Sequence, residues 1–166
     1  MISLKLSDIS DQDAYWFVFF SRLLVLVALF VLISTVMSRF VIAEGESVPY
    51  TLFFSFPGER PELGDYVRVQ VFSPILSNEP SLLTKQITCD SGQSIVLTGG
   101  VFECDGQPLC SFVTKTRDGR PLQPWLAAGE IPEGLAFIMG SHDRSFDSRY
   151  LGLVEKKDMT VVRALF

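Results

Sequence analysis

The chain has 166 residues, enough for one ordinary domain and a short appendage. It is 48% hydrophobic and carries a net charge of −5, which lacks the basic footprint of a nucleic-acid binder. No glycine-rich phosphate loop, zinc-ligand spacing or EF-hand pattern occurs, so neither a metal nor an organic cofactor is expected.

Residues 1–14 read as a short cytoplasmic tail. The apolar excess follows at residues 15–37, YWFVFFSRLLVLVALFVLISTVM. A helix over that run would be roughly 34 Å long, enough to cross a bilayer core of about 30 Å. Arg22 lies about two turns inside its N-terminal end and can snorkel to the nearer headgroups, while Tyr15 and Trp16 suit the interface. Lys5 and Arg22 precede the centre of the span and Arg39 follows it, so the positive-inside count leans to a cytoplasmic N-terminus. A competing reading is a cleaved signal, with Val41 and Ala43 at −3 and −1 and residues 23–37 as its apolar region. Both readings place residues 44–166 outside the cytoplasm.

Beyond residue 44 the chain turns to short β-like runs broken by Gly and Pro. In DYVRVQVF, residues 65–72, Val67, Val69 and Val71 share one face and Tyr66, Arg68 and Gln70 the other. Residues 94–110, SIVLTGGVFECDGQPLC, read as three strands joined by Gly-Gly and Asp-Gly turns. LAFIMG (135–140), RYLGLV (149–154) and MTVVRALF (159–166) are further candidate strands. KTRDGRPLQP (115–124) and LAAGEIPEG (126–134) read as loops. No long helical period survives here, so the expected fold is one mostly-β domain over 44–166 behind a single transmembrane helix. Cys104 and Cys110 flank a turn and could be bridged in an oxidising compartment, leaving Cys89 over; all three could equally be small buried hydrophobes.

The densest polar stretch is MGSHDRSFDSRYLGLV, residues 139–154. It resembles the last conserved box of the signal peptidase I family, G-D-N-x-x-x-S-x-D-S-R-x-x-G. Ser145, Asp147, Ser148, Arg149 and Gly152 match in step, Gly140 matches with one residue fewer between it and the Ser, and Ser141-His142 replace the Asp-Asn. Upstream, LTKQITCDSGQSI (83–95) resembles the family's lysine box through Lys85. LGDYVRVQV (63–71) resembles the strand before it. ESVPYTLFF (46–54) resembles the serine box through Ser47, Pro49 and Leu52. A Pro two residues after the Ser, the small domain and the single anchor are most similar to the TraF-type conjugal-transfer peptidases.

The resemblance implies a serine endopeptidase with a Ser47–Lys85 dyad. A Ser hydroxyl needs a base, and a Lys amine serves as one only when neutral. At an ordinary pKa, roughly one Lys in two thousand is neutral at pH 7. Burial corrects this, and Leu82, Leu83 and Ile87 lie near Lys85 with no acid within four residues of it. Ser148 would orient the Lys85 amine, Asp147 and Arg149 would pair beneath it, and Ser145, Gly140 and Gly152 would shape the turn. The Ser47 backbone N–H would be one oxyanion donor. Gly45 stands where many relatives place a second, hydroxyl donor. His142 falls at a variable position and suits surface or packing.

The expected partners are the lipid bilayer and membrane-tethered precursors carrying a signal peptide or a pilin-like segment. The expected place is the inner membrane, single-pass, with the β domain on the periplasmic side. A broad signal peptidase and a non-catalytic assembly scaffold on the same fold are the alternatives.

Overall fold

The computed structural model describes residues 11–43 and 47–166. The N-terminal tail up to residue 10 and Gly45 lie outside the described residues. The chain divides into two compact units, one up to Arg39 and one from Phe40 to Phe166.

The first unit holds α1 (Asp11–Met37), which begins one turn earlier than the apolar run predicts. Its stretch Ala14–Met37 has a mean hydropathy of 2.6, and every side chain there is exposed. A helix this long and apolar all round fits lipid rather than a soluble surface. The hydroxyls of Ser21 and Thr35 donate to the carbonyls of Val18 and Val31, so neither presents an unbonded donor to hydrocarbon. This helix is a candidate single-pass membrane anchor.

The second unit is mostly β, as expected, and starts earlier than residue 44. Its strands are β1 (Phe40–Ile42), β2 (Leu52–Phe56), β3 (Tyr66–Val71), β4 (Ser81–Asp90), β5 (Ser94–Thr98), β6 (Val101–Cys104), β7 (Gln107–Ser111), β8 (Ala128–Glu130), β9 (Leu135–Met139), β10 (Val154–Glu155) and β11 (Met159–Ala164). They form two antiparallel sheets. The larger has seven strands in the order β1-β2-β11-β3-β4-β9-β10, and the smaller has four in the order β7-β6-β5-β8. β1 belongs to the domain core, because Val41 is buried with Val48, Phe53 and Val162. Cleavage after Ala43 would remove that strand.

Alternation places the core. In β3, Val67 and Val69 are buried while Arg68 and Gln70 are not. In β4, Lys85, Ile87 and Cys89 share the buried face two residues apart. Each fully buried Val, Ile or Phe contributes about 1.5–3 kcal/mol. These apolar neighbours hold β4 in a register that turns a lysine inward.

Three expectations are corrected, the first being the loop over 126–134, in which Ala128–Glu130 forms β8 and pairs with β5. RYLGLV is not a strand: Ser148–Leu151 forms a short helix, α2, whose N-cap Asp147 accepts from the Arg149 N–H. Only Val154–Glu155 then pairs with β9. The bridge is not 104–110 but Cys89–Cys104, with Cα atoms 5.9 Å apart, and Cys110 is free. The β6–β7 register explains this, since Cys104 faces Gln107 and Cys110 faces Phe102. The two cysteines flanking the turn are therefore out of step, while Cys89 from the large sheet meets Cys104 from the small one.

Burial pushes the Cys110 thiol up to about 11. Unfolding removes that protection, so alkylation of unfolded but unreduced protein should label Cys110 alone, the cysteine outside the bridge, and prior reduction should expose all three cysteines. Replacing Cys89 and Cys104 together by Ala should cost about 2–4 kcal/mol in a urea titration, the usual range for a loop of this length. Labelling of Cys89 without reduction would show the pairing to be wrong.

Candidate active site

The phase of β4 carries Lys85 into the interior, where the residue is 2% exposed. Val67 of β3 lies opposite it in the ladder. β9 pairs with β4 only from Gln86 onward, with Gln86 opposite Met139. The chain thus leaves β9 at Gly140, beside Lys85, and delivers the polar box to the buried amine. The Lys85 Nζ donates to the Ser145 hydroxyl at 2.7 Å. Desolvation lowers the Lys85 pKa from 10.5 to about 8; the charge of Asp147 opposes this and that of Arg149 adds to it.

The box is held by one buried ion pair. Arg149 places Nε 2.8 Å from one Asp147 oxygen and a terminal nitrogen 2.8 Å from the other. Its remaining donors reach the carbonyls of His142 at 3.0 Å, Asp143 at 2.9 Å, Ser145 at 3.1 Å and Ser111 at 3.3 Å. Asp147 also accepts from the Gly140 N–H at 2.9 Å. Among the described residues, no buried side-chain nitrogen or oxygen lacks a partner. A guanidinium fork matched to a carboxylate and four carbonyls satisfies the demand that buried charge makes.

The hydrogen bond of the lysine goes to Ser145 and not to Ser148 as expected. The Ser148 hydroxyl accepts from the Ile138 N–H at 2.9 Å and fastens α2 to β9. Ser145, expected to shape the turn, is the residue bonded to the amine.

Gly140 is required by space. A Cβ there would stand 2.7 Å from the Ser47 carbonyl oxygen and 2.9 Å from the Ser145 Cβ, and closer still to the Ser145 hydroxyl. One missing side chain therefore lets the serine box approach the hydroxyl that holds Lys85. Gly152 has φ +80° and also packs on the Trp125 indole, whose ring a Cβ would meet at 3.3 Å.

Ser47 sits in a turn next to the buried Val48, which anchors it to the core. Its carbonyl accepts from the Ser141 N–H at 2.8 Å and from the Ser141 hydroxyl at 3.4 Å. Ser141, a departure from the family pattern, thereby ties the serine segment to the polar box. Sequence reasoning gave it no such part, because the latch is a backbone donor that any residue supplies. His142 contributes its ring Nδ1 to the Arg144 N–H at 3.0 Å, and its carbonyl to Arg149 and to the Ser145 N–H. Ser47 and Lys85 line one cavity of about 400 Å³, together with Ala43, Val48, Arg68 and Leu83.

A half-buried serine and a buried lysine of lowered pKa thus line one cavity of a two-sheet β domain, the two groups that a serine hydrolase of Ser-Lys type needs. The family model described as signal peptidase, peptidase S26, matches residues 16–165. The chain belongs to that family of serine peptidases. A search of curated proteins returned no significant match.

Two stability measurements follow. Lys85 gives up its proton near pH 8 when folded and near 10.5 when unfolded. The unfolded chain therefore binds the extra proton between those values, and stability rises with pH across that window. Below pH 8 the cost of burying the ammonium, about 3 kcal/mol, is fully present. Lys85→Met should be more stable than wild type by up to that amount at pH 7, with the gain shrinking between pH 8 and 10.5 in urea titrations. A less stable Lys85→Met protein at pH 7 contradicts the assignment. Asp147→Asn leaves Arg149 buried without its counter-charge and should cost about 3–5 kcal/mol. A loss under 1 kcal/mol would mean that the pair does not hold the box.

Proposed function

We propose that the protein is a membrane-anchored serine endopeptidase in which Ser47 is the nucleophile and Lys85 the general base. The observation that carries this reading is the state of Lys85: a lysine 2% exposed, hydrogen-bonded to a neutral hydroxyl, with a pKa of about 8. At pH 7 about one such lysine in ten is neutral, against roughly one in two thousand for an ordinary one.

Neutral Lys85 takes the proton from the Ser47 hydroxyl as Oγ bonds to the scissile carbonyl carbon. The resulting ammonium gives that proton to the departing amine, and the C–N bond breaks. Water then attacks the acyl-enzyme and passes a proton to Lys85, which returns it to the Ser47 Oγ as the ester C–O bond breaks and the acid product leaves. The Ser47 backbone N–H serves as an oxyanion donor. Ser145 acts through Lys85 as a positioning residue, fixing its Nζ at 2.7 Å.

The substrates in this reading are exported, membrane-tethered precursors cut after small residues. The Ser47-Val48-Pro49 form of the serine box favours a dedicated role on pilin-like subunits of a conjugative transfer system over a broad signal peptidase. The β domain would face the periplasm, anchored by α1 in the inner membrane. The Cys89–Cys104 bridge suits that oxidising side.

Wild type, Ser47→Ala and Lys85→Ala, matched for expression and insertion, should be compared on candidate precursors in membranes. Both substitutions should lower product formation at least about a thousandfold, the scale of losing an activated nucleophile. For wild type, kcat/KM should rise with pH through about 8, because the neutral lysine is the active form. Cleavage by Ser47→Ala would remove it as the nucleophile. A wild type that cuts nothing across a broad panel would favour a scaffold on this fold.

A further inference from the structure

Ser47 lines a second cavity, of about 490 Å³, distinct from the one it shares with Lys85. Ile75, Leu76 and Leu122 give it apolar walls, and Ser145 borders it. Among the described residues its charged lining is cationic: Lys115, Arg117 and Arg144, with His142 beside them. This runs against a chain whose net charge is −5.

Among the described ion pairs, the nearby Asp118 is taken by Arg120 and Asp147 by Arg149, and Lys115, Arg117 and Arg144 appear in none. Their loop is also preformed. The Tyr150 hydroxyl accepts from the Val113 N–H at 3.0 Å and donates to its carbonyl at 3.2 Å. The Leu122 N–H reaches the Thr114 carbonyl at 2.8 Å, and Thr116 and Arg120 close the tip at 2.9 Å. Lys115 and Arg117 thus project from a tied hairpin, opposite Arg144 on the loop that carries Ser145. Like charges converging on one recess raise the local concentration of anions and select for them.

We propose that this second cavity receives the substrate segment flanking the cut bond and selects an acidic side chain there. The inference rests on the peptidase reading, because what makes the occupant a substrate chain is that Ser47 lines the recess. The apolar walls suit the stem of a Glu and the rim its carboxylate. The cavity therefore adds a charge requirement to a reaction that otherwise asks only for small residues at the cut.

The test uses the full chain in neutral detergent micelles with internally quenched peptides built around an Ala-x-Ala cut. A single Glu or Gln is walked through the positions on each side. At one position, kcat/KM should favour Glu by about tenfold at low salt, and the preference should shrink as ionic strength shortens the reach of the charges. In Arg117→Gln/Arg144→Gln the Glu:Gln ratio should fall toward one, and Arg117→Glu should shift it toward a Lys-bearing peptide. The ratio is internal to each variant, so a general loss of activity does not mimic the effect. Cleavage without preference at any position, or a preference that survives both variants, overturns the proposal and leaves the peptidase intact. Binding of the same peptides to Ser47→Ala, read by fluorescence anisotropy, separates the two ideas in the other direction. Glu-selective binding that depends on Arg117 and Arg144 upholds the cavity even if no peptide is cut. If these cations instead govern binding to phosphatidylglycerol vesicles and leave peptides indifferent, their partner is the lipid surface and the proposal falls.

Discussion

The Asp147–Arg149 pair is the constraint on which the site depends. A loop running from Gly140 to Arg149 has little apolar surface of its own, and its carbonyls point inward. Arg149 collects four carbonyls, three of them in this loop, and Asp147 takes the Gly140 N–H at the other end. One fork thereby fixes both the exit from β9 and the entry to α2. Ser145 and Ser141 lie between those points, so the hydroxyl on Lys85 and the latch on Ser47 are placed together. Replacing such a pair with apolar residues often costs nothing in stability. Its value here is position, which no apolar substitute supplies.

The second constraint is the phase of β4. A lysine enters the core only because Ile87 and Cys89 hold the same face, and a slip of one residue would turn all three to solvent. The β3 ladder runs from Ser81 to Gln86 and the β9 ladder from Gln86 to Asp90, with an irregularity between Ile87 and Cys89. The Cys89–Cys104 bridge ties the end of β4 to the small sheet. The small sheet is thus a clamp on the strand that carries the amine, although it lines neither cavity at Ser47.

What could be read in one dimension was whatever depended on periodicity and order. The apolar run of α1, the alternation of β3 and the mostly-β class follow from side-chain period alone. The apolar neighbours of Lys85 were visible, but its burial depended on a ladder partner eighteen positions upstream. The choice between Ser145 and Ser148 was not visible, since both match the box. It is decided by where α2 begins, and Asp147 caps that helix so that Ser148 turns to β9. The cysteine pairing failed for a similar reason. Proximity along the chain suggested 104–110, whereas the bulged β6–β7 register separates those two and the contact between sheets makes the bond. The cationic recess was also hidden, because Lys115, Arg117 and Arg144 belong to loops that only the fold brings together.

The same ion pair bears on the chemistry of the amine. A carboxylate close to a buried lysine would ordinarily restore its charge and end its use as a base. Asp147 does raise the Lys85 pKa, but Arg149 lowers it, and desolvation remains the larger effect. The carboxylate is therefore available to organise the loop while the guanidinium it holds opposes its field at Lys85. Ser145 completes the arrangement, since a hydroxyl can bond an amine in either protonation state without favouring the ammonium as a carboxylate would. Had an acid stood at that position, the lysine would be an ordinary buried ion pair. Desolvation, with a neutral hydroxyl as the partner of the amine, thus holds Lys85 at about 8, the range that the proposed proton transfers require.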